Sequence, residues 1–169
     1  MNKQTETKTP AQKLRAELKA AGFKPSAISV RKSSGGAIYV YIKDRGIALE
    51  AVEEIANAYK EIRRCVASGE ILSGGNTFVF VEYAQKVKDE FAAMAEAIGE
   101  IPMGGEVVTP KGSLITRPHD ATQNNEFGAH VVAGFYPEHI QNGKEYYTCV
   151  ANAWTVRHAV ERLHRTAQY

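Results

Sequence analysis

Cysteine is scarce in this chain: only Cys65 and Cys149 occur in 169 residues, far apart. A disulfide scaffold needs more of them, and a zinc site needs ligands at short spacing, so neither class fits. Both are expected as buried free thiols in a reducing compartment. Long apolar runs are missing too. None approaches the ~20 residues of a membrane span, and Met1 to Thr9 is polar, without the pattern of a secretory leader. Excess charge of one sign is also lacking. Lys and Arg number 21 against 19 Asp and Glu, a net charge of +2. The whole chain is no polycation, and a nucleic-acid footprint has to come from local clustering. These shortages lead to the expectation of a soluble, cytoplasmic protein with no membrane partner.

What is present has clear local grammar. Residues 1–8 are polar and aperiodic, as in a disordered arm. Thr9-Pro10 reads as a helix N-cap followed by proline at the first helical position. Leu14, Leu18 and Ala21 then recur at helical spacing, Gly22 ends the helix, and Lys13, Arg15, Lys19 and Lys24 make the segment basic. Two alternating runs follow, Ala27–Lys32 and Ala37–Lys43, joined by Ser33-Ser-Gly-Gly36, the pattern of a hairpin. Period two puts Ile28, Val30, Ile38, Val40 and Ile42 on one face and Ser29, Arg31, Tyr39 and Tyr41 on the other. A helix is expected from about Ala48 to Arg64, on the stripe Ala48, Val52, Ile55, Tyr59 and Ile62. Gly74-Gly75-Asn76 then allows a tight reversal into Thr77–Tyr83, the most β-prone run, expected as a buried central strand. Gln85–Ile98 reads as another helix, closed by Gly99.

After Gly99 the composition breaks into shorter pieces. Val107-Val108, Leu114–Thr116, Ala129–Ala133 and Glu145–Val150 are strand candidates, and Asn152 to about Ala167 a helix. The expected fold is α+β: a small antiparallel sheet with helices on one face, in the order α-β-β-α-β-α over residues 9–99. A strand-rich extension over 100–169 ends in a basic helix. Residues 1–99 hold 15 Lys and Arg against 12 Asp and Glu; residues 100–169 hold 6 against 7, with all five histidines.

Three groups of residues invite chemistry. The open sheet face is the strongest, because tyrosines on a β-surface stack on bases while Arg31, Lys32 and Lys43 meet phosphates. Its competing role is as the seam against the C-terminal region, or as the interface of a homo-oligomer. The terminal helix is the second, with Arg157, Arg162 and Arg165 as candidate contacts to nucleic acid. Arg157, Glu161 and Arg165 fall on one face at i, i+4 and i+8, and His158 and His164 are expected at the surface. The third is His119, Asp120 and His130, which would suit a small nuclease or phosphoesterase; their spacing matches no metal or hydrolase signature. The glycines from Gly69 to Gly75 are preceded by a helix and followed by a strand, the reverse of a phosphate-binding loop. No cofactor is called for.

The basic first helix, Ile28-Ser-Val-Arg31, Ala37-Ile-Tyr-Val40, Val52-Glu-Glu-Ile55 and the stretch Ser68–Val79 together resemble a large polyvalent-protein-associated domain. The resemblance covers about residues 14–83. Members often carry a Trp-Thr-Asp-Gly-like turn after the second strand, where this chain reads Ile42-Lys-Asp-Arg-Gly46. What the resemblance implies is a non-catalytic accessory protein of a phage or mobile element, acting in the bacterial cytoplasm. Such a protein would bind nucleic acid or a host nucleoprotein and inhibit host defence in the manner of an anti-CRISPR protein.

Overall fold

The computed structural model describes residues 8–117, 130–135, 147–153 and 155–169. The chain divides into two compact units, Met1–Asp44 with Leu49–Ala84 and Arg45–Ala48 with Gln85–Tyr169.

The first unit begins with α1 (Pro10–Ala20). Its start is a capping box: the Thr9 hydroxyl accepts from the Gln12 amide at 3.3 Å, and the Gln12 side chain accepts from the Thr9 amide at 2.8 Å. Gly22, at φ +95°, turns the chain out of the helix. The hairpin follows as β1 (Ile28–Lys32) and β2 (Ile38–Ile42), antiparallel, with Ile28 opposite Ile42 and Lys32 opposite Ile38. Then come α2 (Leu49–Asn57) and β3 (Val79–Tyr83). The strand order is β1-β2-β3.

Alternation decides where the core lies. Ile28, Val30, Ile38, Val40 and Ile42 are all buried, and so are Ala11, Leu14 and Leu18 of α1 and Leu49, Val52 and Ala56 of α2. The helices therefore cover the aliphatic face of the sheet, as the α+β expectation required. Two details differ from the sequence reading. β3 runs parallel to β2, so the sheet is mixed. A parallel neighbour needs a long crossover, and α2 with the segment after it supplies one. In addition, β3 lies at a sheet edge and β2 is the central strand, so Thr77–Tyr83 is not the buried centre; Phe80 is 47% exposed.

The expected helix to Arg64 stops at Asn57. Beyond it, Glu61 pairs with Thr77 and Arg64 with Ile71 as isolated antiparallel bridges. The Asn76 side chain ties this excursion, accepting from the Arg63 amide at 2.7 Å and donating to the Leu72 carbonyl at 2.6 Å. Gly74 and Gly75, at φ +82° and +68°, bring Thr77 back within reach of Glu61. A non-local strand partner thus wins over helical periodicity in residues 60–64.

The second unit contains α3 (Gln85–Ile98), β4 (Glu106–Val108), β5 (Leu114–Thr116), β6 (His130–Phe135), β7 (Tyr147–Ala153) and α4 (Val156–Arg165). The four strands form an antiparallel meander in sequence order, with an irregularity between Val132 and Ala133. Val87 and Phe91 of α3, Ile101, Ile115, and Ala159, Val160 and Leu163 of α4 form its core. The chain end is anchored within this unit: Ser113 Oγ donates to the Gln168 carbonyl at 2.7 Å and Lys111 Nζ to the Ala167 carbonyl at 2.8 Å. No helix among the described residues is long and apolar enough to cross a membrane.

Candidate binding surface

The face of the first sheet opposite the helices is built by the same alternation that fills the core. β1 contributes Ser29 and Arg31, β2 contributes Tyr39 and Tyr41, and β3 contributes Phe80 and Glu82. Register then sets the neighbours. Arg31 lies opposite Tyr39, Ser29 opposite Tyr41, Tyr39 beside Phe80 and Tyr41 beside Glu82.

The rings form a row. Tyr39 and Tyr41 have centroids 6.2 Å apart and planes inclined by 9°. Tyr39 and Phe80 are 5.2 Å apart at 23°. Phe78, just before β3, extends the row, 6.4 Å from Phe80 at 16°. Arg31 reaches diagonally, its guanidinium carbon 6.0 Å from the Tyr41 centroid. Tyr39 and Tyr41 are half-buried. Four near-parallel rings with an arginine over one end can receive flat, unstacked aromatic groups and hold a neighbouring anion.

The structure sorts the remaining sequence candidates. Lys43 follows Ile42 on the parity of the tyrosines and is exposed, at the end of the same face. Lys32 shares the parity of Ile28 and Val30, and lines a small cavity with Pro10, Ala11 and Asn76. It is not brought to the rings. Phe78 and Phe80 are not among the residues the sequence singles out, because Thr77–Tyr83 reads as a buried strand throughout. The available signal was that Phe80 and Glu82 share a parity, and a glutamate in a strand marks a wet face.

Arg157, Arg162 and Arg165 lie on α4 of the second unit. Arg157 pairs with Glu161 at 3.3 Å, as the i, i+4 spacing implied, and Arg162 is exposed. Arg162 and Arg165 fall in the last helical turn, where positive charge suits the helix dipole. His158 is exposed, but His164 corrects the surface expectation: it is 8% exposed. Its ring lies 4.5 Å from those of Phe91 and Tyr169, and Nδ1 donates to the Arg45 carbonyl at 3.1 Å. Burial pushes its pKa down to about 4. Helical geometry explains the difference. His158 and His164 are six positions apart, so they occupy different faces, and His164 falls beside the buried Leu163 and Val160.

Cys65 also departs from its expectation. It is partly exposed within the excursion after α2, and the Ser68 hydroxyl with nearby backbone amides lowers its thiol pKa. Cys149 lies on β7. His119 and Asp120 fall outside the described residues, and His130 opens β6. Among the described residues no group of three His, Cys, Asp or Glu side chains could hold a metal ion. No family model, curated protein or solved structure matches the chain.

Proposed function

We propose that this protein is a non-catalytic binder of single-stranded nucleic acid, using the open face of its first sheet. The observation that carries the reading is the row of near-parallel rings of Tyr41, Tyr39, Phe80 and Phe78 on the side of the sheet opposite α1 and α2. Every base has a π-face, so such a row takes bases with little regard to sequence. Arg31 and Lys43 supply cations at the edge of the row. The resemblance of residues 14–83 to polyvalent-protein-associated domains supplies the setting. The protein is an accessory factor of a phage or mobile element that occludes a strand or nucleoprotein used by host machinery, including a defence nuclease.

The test is anisotropy of labelled single-stranded and duplex oligonucleotides with the unaltered protein, Tyr39→Ala and Phe80→Ala. Each lost ring should weaken single-strand binding by ~1–3 kcal/mol, roughly five- to 150-fold. Circular dichroism should stay unchanged, because both side chains lie off the core face. Equal affinity in the folded variants removes the proposal. A mass that rises with concentration and falls to the monomer in Phe80→Ala would assign the rings to self-association instead.

A further inference from the structure

Along the outer edge of β1 a groove of about 490 Å³ separates that strand from α1. Phe23, Pro25, Ile28 and Val30 line it together with Arg15, Lys19, Lys24 and Lys43, with no carboxylate among the lining residues. This is a local cluster in a chain whose charges nearly cancel. α1 segregates its charges to make it. Glu17 is committed elsewhere, accepting from the Tyr59 hydroxyl at 2.5 Å, while Arg15 and Lys19, four residues apart, share the groove side. The groove is continuous with the aromatic face, since Ser29 and Lys43 belong to both.

Two kinds of extended anion fit a basic groove beside an edge strand: an acidic peptide that adds to the sheet, or a phosphodiester chain. The hydrogen-bond pattern separates them. Lys43 N donates to Ala27 O, and Ser33 N to Ala37 O, so odd-numbered residues of β1 face β2 and even-numbered ones face outward. The outward carbonyl of Val30 is already taken by the Arg15 guanidinium. An added strand would have to displace it, and a charged side chain lying on the edge is a device that discourages such pairing. A phosphate chain needs only the cations.

We infer that this groove carries the phosphodiester backbone, and one further base against Phe23, of the same single strand that the aromatic face binds. The strand bends around the β1 edge at Ser29 and Lys43. This inference rests on the nucleic-acid reading of the aromatic face and extends its footprint.

The experiment uses the full chain and its Lys19→Gln/Lys24→Gln variant, neither residue belonging to the aromatic face. Labelled oligothymidylates of about 4 and about 12 nucleotides span the range of single-strand site sizes. For the longer one, the slope of log affinity against log salt should shrink by about 1.4, at ~0.7 per lost phosphate contact. Affinity at low salt should fall roughly tenfold. The shorter oligonucleotide should bind both proteins alike. An unchanged slope with the longer oligonucleotide overturns the groove assignment and leaves the aromatic face standing. Loss of binding to both lengths in the variant also overturns it, since the groove would then not be an extension. Failure of the unaltered protein to bind either length removes both readings. Variant-sensitive binding of a polyglutamate peptide, with oligonucleotide binding indifferent to the variant, would reassign the groove to an acidic protein segment.

Discussion

His164 shows how one residue can be misplaced by its chemistry and placed correctly by its neighbours. As a polar residue on a basic helix it reads as surface, yet Phe91 and Tyr169 enclose it. The enclosure makes stability depend on pH with a definite sign. An imidazole ordinarily titrates near 6.5, and this one is held at about 4. Between those values the unfolded chain takes up a proton that the folded chain refuses. Its contribution is therefore complete above about pH 6.5 and declines as pH falls toward 4. One pKa unit is worth about 1.4 kcal/mol, so the ceiling is about 3 kcal/mol, and contact with solvent lowers it. Urea unfolding at pH 7 and pH 4.5 should show this loss, and His164→Phe should flatten it. A variant with the same pH dependence would place the titration on another group. Gly75 is a second residue with a calculable role. At φ +68°, an added Cβ would also meet the Arg63 side chain at 3.3 Å, so Gly75→Ala should cost ~1–2 kcal/mol. A variant as stable as the unaltered chain would show that the turn can relax.

At the level of elements, local signals were legible and non-local ones were not. Thr9-Pro10 placed the start of α1, Gly22 its end, and the hairpin alternation gave both faces of β1 and β2 residue by residue. α3 matches its expected limits, Gln85–Ile98. These depend on contacts within a few residues. The stripe through Tyr59 and Ile62 is also local, and it misled. Glu61 and Arg64 take partners at Thr77 and Ile71, which no helical window contains. The parallel placement of β3 is a choice of the same non-local kind. So is the meeting of α1 with the β1 edge, which brings Arg15, Lys19 and Lys24 of the basic first segment to one groove. The capping box permits a direct check at this scale. Thr9→Ala removes the acceptor for the Gln12 amide and should lower stability by ~1 kcal/mol in thermal or urea unfolding. No change would mean that the Thr9 hydroxyl contributes nothing at the helix start.

For the molecule as a whole, a net charge of +2 hides an uneven distribution. Cations gather where β1 meets α1, rings gather on the adjoining sheet face, and the aliphatic residues fill the opposite side. One strand pair, β1 with β2, supports all three, because alternation sends its odd and even residues to different tasks. Binding strength should accordingly fall with salt while retaining a salt-independent part from stacking. The most direct measurement is the affinity for a single-stranded oligothymidylate across a salt series, for the unaltered chain and for Tyr39→Ala/Phe80→Ala. The account predicts a linear decline in log affinity with log salt for both proteins, with the double variant displaced to weaker binding by at least roughly tenfold at every salt concentration. Superimposable lines, or no binding at low salt by the unaltered protein, would contradict it.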